Sequence, residues 1–263
     1  MMNNADLKKK LIEESDRLGL DLIKFGDVER YREDAMIPEE FYPQSIWPWA
    51  KTVISVGIQI LFPILATTPS VLYKDHYDTV NRVMDDSSYR IAGLLGRLGY
   101  RACSISRDGY LDIHILEKLP EASFSHVVAG KYTGLGTIGM NHTLLTPEYG
   151  PRVRLCTIIT DAEIPSDPLI EKDLCIGCHL CEKKCPANAF TARMDTLIAD
   201  YDKYKCTTNP ETEGVGPCGI CTLVCPVGAD FELYGKGETA VTPVGKTHVQ
   251  NFGTYRSLKN RGL

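Results

Sequence analysis

Apolar residues recur along this chain with two different periods, and the switch between them predicts its elements. Leu7, Leu11, Leu18 and Leu22 follow helical spacing through Met1–Phe25, a segment otherwise rich in Lys, Glu and Asp. Lys51 to Leu61 (KTVISVGIQIL) alternates in part and is rich in Val and Ile, which predicts a strand. Val80, Val83, Met84, Ile91, Leu94, Leu95 and Leu98 recur within Tyr77–Leu98 at helical intervals of three, four and seven residues. They predict an amphipathic helix that Gly99 stops. Tyr100–Ser106 and Arg152–Thr160 read as two further strands, and Asp161–Pro168 (DAEIPSDP) as a polar linker. Phe231–Leu263 is Gly-rich and polar with little helical period. The expected division is an α+β region over 1–165, a separate module over 166–230 and a tail over 231–263.

The bulk numbers narrow the function classes. The chain has 263 residues, 43% of them hydrophobic, enough for a real core. Twenty-nine Lys and Arg against 34 Asp and Glu give a formal charge of −5, without the global basic excess of a nucleic-acid coat. Local runs such as Lys8–Lys10, or Arg256, Lys259 and Arg261, read as solvated faces. The longest apolar stretch, Val53–Ala66, contains Ser55, Gln59 and Pro63 and is too short to span a bilayer. No export signal is visible, so the expected location is cytoplasmic, with no membrane contact.

The cysteines carry the chemistry. There are ten, and eight lie between positions 175 and 225, a clustering that points to metal rather than to disulfides. The first set reads Cys175-x2-Cys178-x2-Cys181-x3-Cys185-Pro186; the second is Cys206, then Cys218-x2-Cys221-x3-Cys225-Pro226. A cubane needs four thiolates at its corners. Two-residue gaps let a tight loop wrap three corners, and the Cys-Pro that follows lies too far along to close the same cube, so it ligates the other one. The expected groups are Cys175, Cys178, Cys181 and Cys225 for one [4Fe–4S] cluster, and Cys185, Cys206, Cys218 and Cys221 for the second. Zinc can use two CxxC pairs, but it has no use for CxxCxxCxxxCP. The long gap from Cys206 to Cys218 suggests a loop laid over the second cluster. Cys103 and Cys156 fall in predicted strands and read as core thiols. Of the histidines, His179 is placed to tune a cluster potential, and His114 and His126 read as structural.

Gly134-x-Gly136-x-x-Gly139 matches a dinucleotide fingerprint in letters, yet Pro147 and Gly150-Pro151 leave little room for the helix such a motif must open. It reads instead as a glycine-rich turn, or as a loop whose backbone approaches a large cofactor. Gly134, Gly136, Gly139, Met140, Asn141 and His142 are its candidate cofactor-binding residues.

Gly134-Leu-Gly-Thr-Ile-Gly-Met-Asn141, then Leu144-Leu145-Thr-Pro-Glu-Tyr-Gly, a strand ending Thr160-Asp161 and the two cysteine sets occur in this order. The ordered set is similar to the epoxyqueuosine reductases and, more distantly, to the reductive dehalogenases, over roughly residues 45–230. The resemblance implies a nitroreductase-like α+β domain that holds cobalamin, followed by a bacterial two-cluster ferredoxin-like module. It implies low-potential electrons taken from a ferredoxin- or flavodoxin-like donor and passed through both clusters to reduce a small-molecule substrate. Tyr77 and its helix resemble a Tyr-containing helix start in the family. Candidate proton donors are Tyr77, His76, Tyr73 and Glu121.

The sequence also departs from the family. Thr137 stands where the family loop has Trp, and Met140 where it has Lys. Leu119–Ser123 carries Glu121 but no Asp, and the tRNA-binding repeats expected after the clusters are not seen. These differences argue against a tRNA substrate. Two alternatives stay open: an electron-transfer or activator protein serving a partner such as a corrinoid protein, and a reductase holding FMN. Every version is oxygen-sensitive, which suggests an anaerobic host.

Overall fold

The computed structural model describes residues 3–34, 36–107, 118, 122–209 and 217–235. Its framework is a four-stranded antiparallel sheet formed by β1 (Leu22–Asp27), β2 (Thr52–Gln59), β3 (Ala102–Ile105) and a later strand, Val153–Thr160, in the order β1–β2–Val153–Thr160–β3. The later strand becomes β6, after the short hairpin of β4 (Thr137–Ile138) and β5 (Leu144–Leu145). The two central strands pair so that Ile54 meets Ile158 and Val56 meets Cys156.

Helices cover both faces of the sheet. On one face α1 (Asn4–Arg17) and α5 (Val71–Arg97) bury Leu7, Leu11, Met84, Ile91 and Leu95 against Ile54, Val56, Cys156 and Ile158. On the other, the short helices α2 (Arg30–Glu33) and α3 (Pro43–Ile46) and the helix α6 (His126–Tyr132) gather Tyr31, Tyr42, Val128 and Tyr132 against Val53 and Ile159. Burial on both faces explains why β2 shows only partial alternation: a strand covered on both sides wants apolar residues on both.

Several sequence expectations need correction. The helical spacing at the N-terminus runs through a change of element. Helix α1 stops at Arg17, Gly19 turns the chain with φ +74°, and Leu22 opens β1. Leu18 and Leu22 keep the helical interval but pack from a cap and a strand. Helix α5 begins six residues before Tyr77, at Val71, where the Ser70 hydroxyl caps it by accepting the Tyr73 N–H. Its Val83 is exposed.

The expected linker is pinned to the sheet. Ala162 and Ile164 are buried, and Asp167 exchanges two backbone-directed hydrogen bonds with Phe25 on the edge strand β1. Lys8 pairs with the same carboxylate, so the Lys8–Lys10 run is not a free basic face.

The expected tail begins too early. Helix α10 (Ala229–Gly235) crosses its boundary, and Phe231 packs edge-on to Phe62 of α4 (Phe62–Leu65). Residues 236–263, with Arg256, Lys259 and Arg261, lie outside the described residues, as do His114 and most of the insert after Cys206. Among the described residues no helix is long and apolar enough to cross a membrane.

Candidate functional site

The cysteine module is made of short pieces: α7 (Leu180–Lys184), the hairpin of β7 (Phe190–Thr191) and β8 (Asp200–Tyr201), α8 (Lys203–Thr207) and α9 (Ile220–Leu223). Gly177 and His179 both take left-handed backbone, with φ +63° and +59°. They curl the loop so that Cys175, Cys178 and Cys181 line one small cavity, and Cys225 closes it from the far end of the module. That is the first expected group. In the second, Cys206 lies within electrostatic reach of Cys185, and Cys221 of Cys218 and Cys206. Cys221 also feels Cys181, so the two groups adjoin.

The donor set fits two sulfur-ligated clusters. Burial pushes the Cys221 thiol up to about 12 and the Cys225 thiol to about 11, so ligation must displace their protons. The Ala189 N–H donates to Cys185 Sγ at 3.3 Å, the kind of contact that supports a ligating sulfur. Among the described residues no three His, Cys, Asp or Glu side chains converge for a single metal ion, so the fit rests on the cavity and the grouping. Cys178 is the exposed member of the eight.

Arg152 ties this module to the sheet. Its side chain is wholly buried; it donates to both carboxylate oxygens of Asp230, at 2.6 and 2.7 Å, and to the Cys225 carbonyl at 2.8 Å. The guanidinium lies over the rings of Phe62 and Phe231, 5.5 and 5.6 Å from their centroids. Thr68 of the sheet region donates to the Cys218 carbonyl.

Beside the second group lies a cavity of about 900 Å³, near the upper end of the range of about 300–1,000 Å³ usual for small-molecule sites. Tyr73, Tyr77, Arg154, His142, Tyr201 and Thr222 all reach it. Arg154 lies 4.3 Å over the Tyr77 ring and donates to Asn81 Oδ1 at 2.9 Å, which fixes its direction. Burial, first, and then the neighbouring Tyr77 push the Tyr73 phenol well above its ordinary value.

The predicted residues divide sharply. Tyr73 and Tyr77 face the cavity; His76 does not, because its Nε2 accepts the Leu61 N–H at 3.1 Å. Glu121 lies outside the described residues. Gly134, Gly136 and Gly139 precede or sit within a hairpin, not a helix, and none lines the large cavity. At Gly134, with φ +78°, a Cβ would strike the Pro168 carbonyl, and at Gly136 the Leu145 carbonyl. The chain's own close packing therefore demands these two glycines.

Met140 is buried with Cys181 and Phe190, and Asn141 donates to the Cys221 carbonyl at 3.3 Å. Both line the small cavity of the first group, whereas His142 reaches the large one. His142 Nε2 donates to the Ala199 carbonyl at 2.7 Å. Thr137 accepts the Leu174 N–H, so this loop also anchors the start of the module. His179 Nδ1 pairs with Glu182 at 2.9 Å rather than with a cysteine. His126 is buried between Thr157 and the Ser106 carbonyl, as a structural histidine would be, though one edge of it reaches the cavity. Cys156 is buried and its thiol pushed up to about 12; Cys103 is half-buried.

Sequence reasoning missed Arg152, Arg154, Tyr201 and Thr222. Arg152 and Arg154 stand as two charges in an otherwise apolar strand, but nothing in the sequence names their partners.

Comparison with known proteins agrees with this geometry. A family described as a 4Fe-4S dicluster domain matches residues 174–229. A tetrachloroethene reductive dehalogenase of Desulfitobacterium hafniense is 25% identical over 193 residues, 66% of this chain and 32% of that protein. The epoxyqueuosine reductase of Bacillus cereus is 24% identical over 284 aligned positions, 92% of this chain and 70% of that protein. The solved structure of a catabolic reductive dehalogenase superposes with a TM-score of 0.67 at 21% identity, over 85% of this chain and 32% of that one, a likeness of fold. The chain thus spans about a third of the dehalogenases it matches. It is a mixed helix-and-sheet protein that carries a 4Fe-4S dicluster domain and has homologues among the reductive dehalogenases and the epoxyqueuosine reductases.

Proposed function

We propose that this chain is an iron–sulfur reductase in which two [4Fe–4S] clusters bring low-potential electrons to a cobalamin in the large cavity. Cys175, Cys178, Cys181 and Cys225 hold the first cluster; Cys185, Cys206, Cys218 and Cys221 hold the second. One observation carries the reading: the wall of a cavity of small-molecule size is built partly from Tyr201, which packs in one cluster with Cys185 and Cys221, and from Thr222, which follows Cys221 in the chain. The exposure of Cys178 supports the first cluster as the entry point for electrons from a one-electron donor of ferredoxin or flavodoxin type.

A bound cobalamin would supply a cobalt centre able to accept electrons singly and reduce a small-molecule substrate. The chain's own residues do the rest. Arg154, fixed by Asn81 and Tyr77, presents positive charge to the cavity, and Tyr77 offers a phenolic proton there. Tyr73, Leu144 and Val153 make the wall apolar and exclude water. The region over 1–165 is read as a nitroreductase-like domain, and a tRNA substrate is not part of this reading.

Anaerobic reconstitution with iron, sulfide and excess hydroxocobalamin tests it. After desalting, about eight irons and one cobalt per chain are expected. About eight irons with no cobalt sinks the cobalamin assignment. Retained FMN in that preparation points to a flavin reductase, and no organic cofactor points to an electron-transfer partner for a corrinoid protein.

A further inference from the structure

The first group of cysteines is thinly covered on one side. Ile176 and Cys178 line its cavity and are both exposed at the surface, Ile176 by 69%. Between them Gly177 turns the chain, and of the described residues only Leu197 comes within 4 Å of where a Gly177 side chain would stand. Leu197 belongs to the loop between β7 and β8 and is itself 37% exposed; Met194, in the same loop, is fully exposed. Polar contacts fasten this loop to the cysteine loop. His179 Nδ1 pairs with one Glu182 carboxylate oxygen at 2.9 Å, and the Ala192 N–H donates to the other at 2.7 Å. Arg193 then holds Asp195 at 2.7 Å and Asp200 at 3.6 Å across the base of the loop. Three large apolar side chains are thus set in solvent around one exposed cysteine. Single exposed apolar residues are ordinary, but a group fixed around a site marks a surface that a partner covers.

We propose that Ile176, Met194 and Leu197 form the docking surface of a small one-electron carrier protein, which brings the edge of its cofactor over Cys178. The proposal rests on the two-cluster reading given above. The site beneath the patch selects this occupant: electrons must enter from outside the chain, and Cys178 is the exposed member of the eight cysteines. A patch of three side chains suits a small, transient encounter, which lets the carrier leave once it is oxidised. Methionine, unbranched and polarizable, adapts to the shape of the partner it meets. The flanking exposed charges are of both signs, Lys172, Lys183 and Lys184 with Glu171 and Asp173, so the apolar centre and not net charge sets the fit. The step moves a single electron. The carrier is oxidised by one, the first cluster is reduced by one, and no bond forms or breaks.

The test is stopped-flow reduction of the reconstituted full chain by flavodoxin hydroquinone, whose oxidation to the semiquinone reports each electron delivered. Dithionite serves as a small reductant that needs no docking. Wild type is compared with Met194→Gln, Leu197→Gln and the double variant, all neutral changes at exposed positions. Tyr89→Gln, on the exposed face of α5 beside α1, is the control. The expected result is a second-order rate with flavodoxin that falls about tenfold in the double variant and less in each single one. Dithionite rates and iron content stay at the wild-type level, and Tyr89→Gln behaves as wild type. A flavodoxin rate unchanged in the double variant overturns the proposal. So does a dithionite rate that falls in step, because the cluster and not the dock is then disturbed. A wild-type chain with both clusters that takes electrons from dithionite, but from neither flavodoxin nor a reduced two-cluster ferredoxin, overturns this proposal alone. A wild-type chain that assembles only one cluster overturns the function proposed above, and this proposal with it.

Discussion

The sheet region and the cysteine module stand on different physical ground. The sheet has central strands eight residues long, helices on both faces and a continuous apolar core through Leu7, Ile54, Met84, Ile91, Cys156 and Ile158. The module has helices of four or five residues and two-residue strands, and its own buried cluster contains Met140, Cys181, Phe190 and Ala199. Burial holds the first together. The second has too little apolar surface for that, so its ligands must supply the missing core, as in other small metal-bound modules. Both regions contain buried cysteine, and the difference shows there too: Cys156 is fully buried in the core, whereas Cys175, Cys178, Cys181 and Cys225 line a small cavity.

The largest expected effect comes from removing the iron. Anaerobic chelation should abolish amide-exchange protection across 174–229 while the sheet strands stay protected. Equal protection in both regions after complete iron loss would break the comparison.

Next is Arg152→Met, which cuts the tie between the regions and leaves Asp230 buried without its partner. The expected loss is about 3–5 kcal/mol in denaturant unfolding, together with weaker iron retention. Adding Asp230→Leu should recover most of the stability, because an apolar pair leaves no charge stranded.

Met84→Ala should cost about 2–5 kcal/mol by opening a cavity in the core. Its cluster absorbance should stay unchanged, because Met84 belongs to the core under the sheet alone. Lost iron in that variant would show the regions to be one cooperative unit.

The smallest effect, read per pH unit, is a pH dependence. Burial, ahead of the nearby Asp85 carboxylate, raises the Cys156 thiol from 9.0 to about 12, so the folded state holds a proton that the unfolded chain gives up. Stability from this group is fully present below pH 9.0 and declines toward pH 12, by at most about 1.4 kcal/mol per unit. Cys156→Val should flatten that part of the stability curve.

Much of this was legible in the sequence, and the reason for the rest is distance along the chain. β2, β3 and β6 announced themselves because apolar strand residues are neighbours in sequence. β1 was hidden because Leu22 continues the helical interval of Leu7, Leu11 and Leu18 by coincidence. The cysteine motif was readable because its signature is a matter of spacing, and residues 174–229 match a 4Fe-4S dicluster domain. Arg152 was not, since its partner Asp230 is 78 residues away. Tyr201 and Thr222 carry no signature until the fold places a cavity beside them. In the glycine loop, Gly134 and Gly136 answer to the carbonyls of Pro168 and Leu145, partners that the motif itself does not name.

The central claim is that the second cluster borders the cavity that holds the cobalamin. Pulsed EPR relaxation on the reduced, reconstituted chain, with and without cob(II)alamin, tests it most directly. The account predicts that the paramagnetic cobalt speeds relaxation of the cluster held by Cys185, Cys206, Cys218 and Cys221 more than that of its neighbour. A stronger effect on the first cluster, or none on either with cobalt bound, would contradict it.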